Sequence, residues 1–471
     1  MISNDPAEWT LTALSKALRR KAISPVEVTR VFLQRIEKYD RKINSFITVL
    51  DQEALKAARK AEAEIRRGNY RSPLHGIPYA VKDLFFTQGI RTTCASKILK
   101  NFRPSFDGTV VRKLSEAGAI LLGKLNMHEF AYGTTSTSLH FGPVHNPWDL
   151  ERVAGGSSGG SAAALAASLV LLTLGTDTGG SIRIPSSLCG IAGLKPTFGR
   201  VSKYGVYPLC HSLDHPGPMA KSVMDLALAM NVLAGQDLQD STTAAKAVPD
   251  YAASLSTDLK GVRLGVPQNY YFDRLDGEVG RTVQKAIEHL KTLGAKVKSI
   301  RIPFLEEAAA TAFILLISES AATLEKYLMT RPQDIGKDVR SRLQLGMTVR
   351  AVQYLKAQRF RKKVQGHFAD ALETVDCLVT PQLPITAPKI GDTHVSIGNT
   401  REPVPSALTR FTRIYNLVGI PALSVPCGFS AEGLPIGLQI AGRPFAEGTV
   451  LKVGYAYEMT TPWKDRHPSL E

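Results

Sequence analysis

The chain has 471 residues, with 58 Lys+Arg against 42 Asp+Glu, a formal net charge of +16, 44% hydrophobic and 21% charged residues. That balance excludes a disordered chain, a collagen-like repeat and a coiled-coil rod, and the length allows a large buried core. The positive surplus leaves an anionic substrate, an acidic surface, nucleic acid or plain solubility open.

Met1 to Pro6 lacks the basic stretch and apolar core of a secretory signal. Residues 7–68 read as helices: Ser24-Pro25-Val26-Glu27 has the form of a capping box with proline at the first helical position, and Val28, Phe32 and Ile36 follow at i+4 spacing. Beyond residue 73, short apolar runs alternate with amphipathic stretches. Gly76–Val81 is predicted as a strand, Val110–Ala117 as a helix and Ala119–Gly123 as a strand. The run from Ala162 to Leu174 reads as one apolar helix, about 13 residues long and too short to span a bilayer. Strands are predicted at 262–266, 422–426 and 436–440, with helices near 277–293 and 446–459. Alternation of this kind implies an α/β fold, a central mixed β-sheet with helices on both faces. Residues 305–375 break it and read as a helical cap or insertion; one domain over 1–471 is expected. No membrane segment is expected. The five cysteines (Cys94, Cys189, Cys210, Cys377 and Cys427) are odd in number and set in apolar contexts, as buried thiols of a cytoplasmic protein would be.

The charge is concentrated. Between Arg331 and Lys363 there are ten Lys or Arg and only Asp334 and Asp338, a net +8 of the +16. Val339, Leu343, Met347 and Val352 recur at near-helical spacing, so the cations are assigned to a solvated face, with nucleic-acid contact as the lesser reading.

Several motifs fail on context. Gly118 to Lys124 starts like a phosphate loop, but Leu125 stands where Ser or Thr is needed; His211 and His215 lie in a Pro-rich stretch without metal-binding spacing; Gly156–Gly160 has a nucleophile-elbow pattern around Ser158 but no apolar strand before it. What stands out is residues 155–199, which hold ten of the 38 glycines and two serine-glycine clusters, Gly155–Ser161 and Gly175–Ser181. Glycines around serines let backbone N–H groups turn inward, as an oxyanion hole requires. No histidine is local to either cluster, so a serine nucleophile here would need another base. Lys82, ending the strand 76–81, could serve if burial made its amine neutral; a solvated strand-end lysine is the ordinary alternative.

Taken together, Gly76–Asp83, Asn126–Gly133, Gly155–Ser161, Gly175–Pro185, Gly193–Thr197 and Asn416–Ala422 resemble the amidase signature family, from about residue 10 to 463. The resemblance implies a Ser–cis-Ser–Lys triad: Ser181 as nucleophile, Ser157 as bridging serine after a cis Gly156–Ser157 peptide, Lys82 as base. It implies an oxyanion hole of Thr178, Gly179, Gly180 and Ser181 backbone N–H groups, with Asp177 and Arg183 as loop supports. It calls for no metal or organic cofactor. A small-molecule amide is the expected partner, nucleic acid is not, and a homodimer is an allowed assembly.

Within the family, the first reading is a hydrolase of small aryl or alkyl amides. Carbamates, carboxybiuret-type ureas and esters are chemically close alternatives. The competitor is the glutamine-hydrolysing component of a Glu-tRNA(Gln) amidotransferase, which holds its amino acid with an Arg and an Asp. Arg361 falls near the arginine position, but Thr409 occupies the acidic one, and a buried ammonium without a counter-carboxylate costs several kcal/mol. Tyr132, Gly133, Arg361 and Thr409 are therefore the candidate substrate-binding residues. A scaffold or nucleic-acid-binding protein is the non-enzyme alternative.

Overall fold

The structure, a computed structural model, describes residues 6–470; Met1–Asp5, on which the expected lack of a leader rests, lie outside them. Among the described residues, eleven strands make the central sheet: β1 (Phe46–Val49), β2 (Pro78–Lys82), β3 (Ile120–Leu125), β4 (Leu172–Asp177), β5 (Ala192–Lys195), β6 (His215–Ala220), β7 (Arg263–Pro267), β8 (Lys296–Ile300), β9 (Cys377–Pro381), β10 (Ala422–Phe429) and β11 (Pro435–Gly442). Their spatial order is β1-β3-β2-β4-β6-β5-β10-β11-β9-β7-β8. The run β3-β2-β4 and the run β9-β7-β8 are parallel, and the remaining pairs are antiparallel. The sheet is mixed, as expected.

Three helices lead: α1 (Leu11–Arg19), α2 (Pro25–Ile43) and α3 (Asp51–Arg66). Ser24 Oγ accepts from Glu27 N at 3.1 Å and Glu27 returns the bond to Ser24 N at 2.8 Å, which completes the expected capping box. The lead is not purely helical, because β1 lies between α2 and α3 and pairs with β3. Next come α4 (Thr109–Glu116), α5 (Gly159–Ala166), α6 (Arg183–Cys189), α7 (Val223–Leu233) and α8 (Gly277–Thr292). In sequence, α4 links parallel β2 and β3, and α8 links parallel β7 and β8.

The predicted helix 162–174 is corrected. Helix α5 ends at Ala166, Ser168 turns at φ +55°, and Leu172–Asp177 is strand β4. The alanine-rich half is helical and the Leu/Thr half extended, but both are wholly buried, so hydrophobicity alone gave no boundary.

Residues 305–375 hold α9 (Leu305–Thr330), α10 (Lys337–Met347) and α11 (Ala351–Thr374). Helix α9 is long and apolar enough to cross a bilayer by length and composition. It instead packs Ala308, Ala312, Leu315 and Leu324 inward, and its mid-helix Glu319 accepts bonds from Ser212 and Tyr354. The expected single apolar side of 339–352 is also corrected: Val339 and Leu343 are buried, whereas Met347 and Val352 are 45% and 54% exposed. The break at Thr348–Arg350 between α10 and α11 resets the helical phase. Near the end, α12 (Val404–Thr409), α13 (Arg413–Val418) and α14 (Glu447–Met459) complete the described helices.

Candidate active site

The site forms where β2 and β4, parallel neighbours, end together. Lys82 is the last residue of β2, and Asp177, the last of β4, opens into the loop that carries Ser181. The side chain of Lys82 is fully buried; its Nζ donates to Ser157 Oγ at 2.7 Å and to Thr176 Oγ1 at 2.9 Å. Burial pushes the amine down to about 7, with the charges of Asp177 and Asp214 pulling the other way. An amine neutral near pH 7 has a lone pair to accept a proton. The solvated strand-end alternative does not fit a lysine with no exposed surface.

Ser157 sits after a cis Gly156–Ser157 peptide. Its carbonyl accepts from His128 N at 3.1 Å and Ser136 Oγ at 3.3 Å, and Ser158 N donates to Ser181 O at 3.2 Å, tying the two serine clusters together. Glycine is required at two of the close approaches around them. At Gly160 a Cβ would meet the carbonyl oxygens of Asn126 and Ser45, and Gly180 adopts φ +130° against Thr412.

Asp177 organises the loop that carries Ser181. It accepts from Gly180 N at 2.8 Å, Ile182 N at 3.2 Å and Arg183 N at 3.3 Å, and is paired with the Arg183 guanidinium at 2.9 Å. Burial alone would raise its pKa, but the charge and hydrogen bonds of Arg183 hold it well below the usual carboxylate range. Arg183 continues to Gln439 at 2.7 Å and Asn416 at 2.8 Å, anchoring the loop to β11 and α13. Of the four N–H groups expected in the oxyanion hole, that of Gly180 is taken up by Asp177; among the described residues, those of Thr178, Gly179 and Ser181 have no acceptor and remain available.

Ser181 opens onto a cavity of about 80 Å³. Tyr132, Gly133, Thr178, Gly179 and Thr409 share its wall with Phe313 and Leu316 of α9, Arg342 of α10, and Arg413. Arg361 is placed elsewhere: its Nε donates to Leu417 O at 2.7 Å and its Nη2 to Ser212 O at 3.1 Å, and it is not among the cavity's lining residues. Thr409 is on the wall, donating to Pro405 O at 2.7 Å and accepting from Arg413. Sequence reasoning does not single out Arg342 or Arg413. Arg342 is one of ten cations in a basic stretch, and Arg413 lies four residues beyond Thr409 with nothing in its spacing to distinguish it.

The site brings a buried lysine at the end of a strand together with two glycine-held serine loops, and the chain belongs to the amidase signature family, whose members are hydrolases acting on C–N bonds. The Amidase family profile matches residues 27–451. A glutamyl-tRNA(Gln) amidotransferase subunit of Geobacter metallireducens is 46% identical over 97% of this chain and 98% of its own. Among solved structures, one described as "An unexpected vestigial protein complex reveals the evolutionary origins of an s-triazine catabolic enzyme" superposes with a TM-score of 0.92 at 37% identity, covering 96% of this chain and 98% of that one. A bacterial aryl acylamidase of the amidase signature family superposes with a TM-score of 0.90 at 28% identity, covering 97% and 98%.

Proposed function

We propose that the chain hydrolyses small amides through a covalent acyl-enzyme, with Ser181 as nucleophile, Ser157 as relay and Lys82 as base. The observation that carries this reading is the 2.7 Å bond from a fully buried Lys82 to Ser157. Neutral Lys82 takes the proton of Ser157 as Ser157 takes that of Ser181, and Ser181 Oγ bonds to the amide carbon. The carbonyl oxygen becomes an oxyanion held by the N–H groups of Thr178, Gly179 and Ser181. The C–N bond then breaks, the proton passes from Lys82 through Ser157 to the leaving nitrogen, and an ester to Ser181 remains. Water repeats the sequence: it gives a proton to the relay, attacks the ester carbon, and Ser181 leaves with the proton returned. We read the whole chain as one amidase domain in which the 305–375 helices cap the site, since Phe313, Leu316 and Arg342 reach its cavity. Five buried unpaired thiols support a cytoplasmic setting.

The test is labelling by an active-site serine probe. Wild type is expected to label, Ser181→Ala not at all, and Lys82→Ala far more slowly; labelling that survives in Ser181→Ala overturns the assignment.

A second reading is favoured by the relatives: at 46% identity to a glutamyl-tRNA(Gln) amidotransferase component, the chain would free ammonia from glutamine within a larger assembly. Against it stands the cavity wall, which among the described residues carries two arginines and no carboxylate to meet glutamine's ammonium. Robust ammonia release from glutamine, by the chain alone or together with partner chains, would decide for this second reading.

A further inference from the structure

The two cavity arginines differ in what holds them. Arg342 is satisfied: it donates to Tyr132 O, pairs with Asp338 at 3.1 Å, and places its Cζ 5.4 Å from the Tyr132 ring centroid. Arg413 is not. Its guanidinium has one hydroxyl partner, Thr409 Oγ1, and packs 5.7 Å from the Phe313 ring. Among the described residues no carboxylate pairs with it, and its Nε and Nη1 have no acceptor. Leu209, Phe313, Leu316 and Pro405 give the same cavity a large apolar share, beside the hydroxyls of Thr178, Ser181 and Thr409. A partly buried guanidinium with no protein counter-charge is a ready receiver for an anion that reaches the cavity.

Its position says which anion that is. The Cβ of Arg413 lies 3.8 Å from where a side chain on Gly179 would begin, beside the free oxyanion donors. Arg413 also lines an adjoining outer cleft of about 280 Å³, whose carboxylates are already engaged: Glu402 with Arg410 at 3.0 Å and Glu306 with Arg274 at 3.9 Å. Arg413 therefore borders both that cleft and the cavity onto which Ser181 opens, presenting a planar fork suited to a carboxylate.

We infer that Arg413 receives a carboxylate carried by the substrate, so that the compounds cleaved at Ser181 are anionic amides without a neighbouring ammonium. This rests on the acyl-enzyme reading above and adds the substrate class. A largely apolar pocket with one unpaired cation selects by charge at one end and by shape elsewhere, and the closeness of Arg413 to Gly179 favours a short linker between carbonyl and carboxylate.

The experiment compares matched amides by ammonia release: succinamate and glutaramate against butyramide and valeramide, with L-glutamine as the ammonium-bearing counterpart of glutaramate. The anionic member of each pair is expected to show a kcat/KM about 10- to 100-fold higher, carried mainly by KM, and the ratio should collapse in Arg413→Met while Arg413→Lys keeps part of it. Equal rates for charged and neutral members, a ratio unchanged in Arg413→Met, or glutamine matching glutaramate would each overturn the inference. Should none of these amides turn over, succinate or glutarate is expected to slow labelling of Ser181 by a neutral phosphonate probe in wild type and not in Arg413→Met. Labelling without protection overturns this inference alone; no labelling at all overturns the acyl-enzyme reading beneath it.

Discussion

Lys82 is a cation-former held where a cation is poorly tolerated, and both its chemistry and its cost follow. Its amine, pushed down to about 7 by burial, accepts a proton only when neutral. With a substrate that does not itself titrate, kcat/KM is therefore expected to rise with pH through about 7 and level off above it; a profile flat from pH 5 to 9 would contradict the role of Lys82 as base. The same depression acts on stability. Between about 7 and the ordinary lysine value of 10.5, the unfolded chain binds a proton at Lys82 that the folded chain does not, so stability rises with pH across that window. Below it the full penalty applies. Lys82→Met is thus expected to be inactive yet to melt at a higher temperature than wild type, by most below pH 7 and by a shrinking margin as pH climbs towards 10.5. The lost bonds to Ser157 and Thr176 work against this gain but do not depend on pH in the same way.

Between residue and sheet, the site depends on close approaches that only particular side chains permit. Helix α5 begins so near the chain at Ser45 and Asn126 that Gly160→Ala must push backbone oxygens aside; a loss of about 1–3 kcal/mol by urea unfolding is expected. Arg183→Met strips the buried Asp177 of its counter-charge and cuts the loop from Gln439 and Asn416. It is expected to lose about 3–5 kcal/mol by the same measurement, and Ser181 labelling should fall with it. Much at this scale is readable in advance. The capping box of α2, the strand before Lys82 and the two glycine clusters each announce themselves through a local rule: an acceptor three residues from its donor, an apolar run, a density of φ-permissive residues. Strand β6 does not, because His215-Pro-Gly-Pro looks unlike a central strand. It is tolerated because β5 joins β6 only at Met219 and Ala220, leaving the prolines where one side has no ladder to interrupt. Arg361 misleads for a related reason. Spacing places it near a family position, but its donors reach the carbonyls of Leu417 and Ser212, and only the fold brings Arg413 to the cavity.

Across the whole molecule, the sheet draws on both ends of the chain. Strands before residue 221 supply the lysine and the serine loop, while much of the cavity wall comes from residues beyond 300, joined through the β5–β10 pairing. The +16 charge is read best against that layout. The ten cations of 331–363 divide between an outer surface and inward-facing individuals, of which Arg342 borders the cavity at Ser181 and Arg361 braces the chain beneath α13. The cysteines carry a practical consequence. All five are buried and none is bridged, and they are distributed from Cys94 near the site to Cys427 in β10. A colorimetric thiol reagent such as DTNB is therefore expected to find no fast-reacting group in the native protein and five after denaturation. Because the sulfurs sample widely separated parts of the core, their rate of modification would serve as an internal clock for how often, and how extensively, the molecule opens.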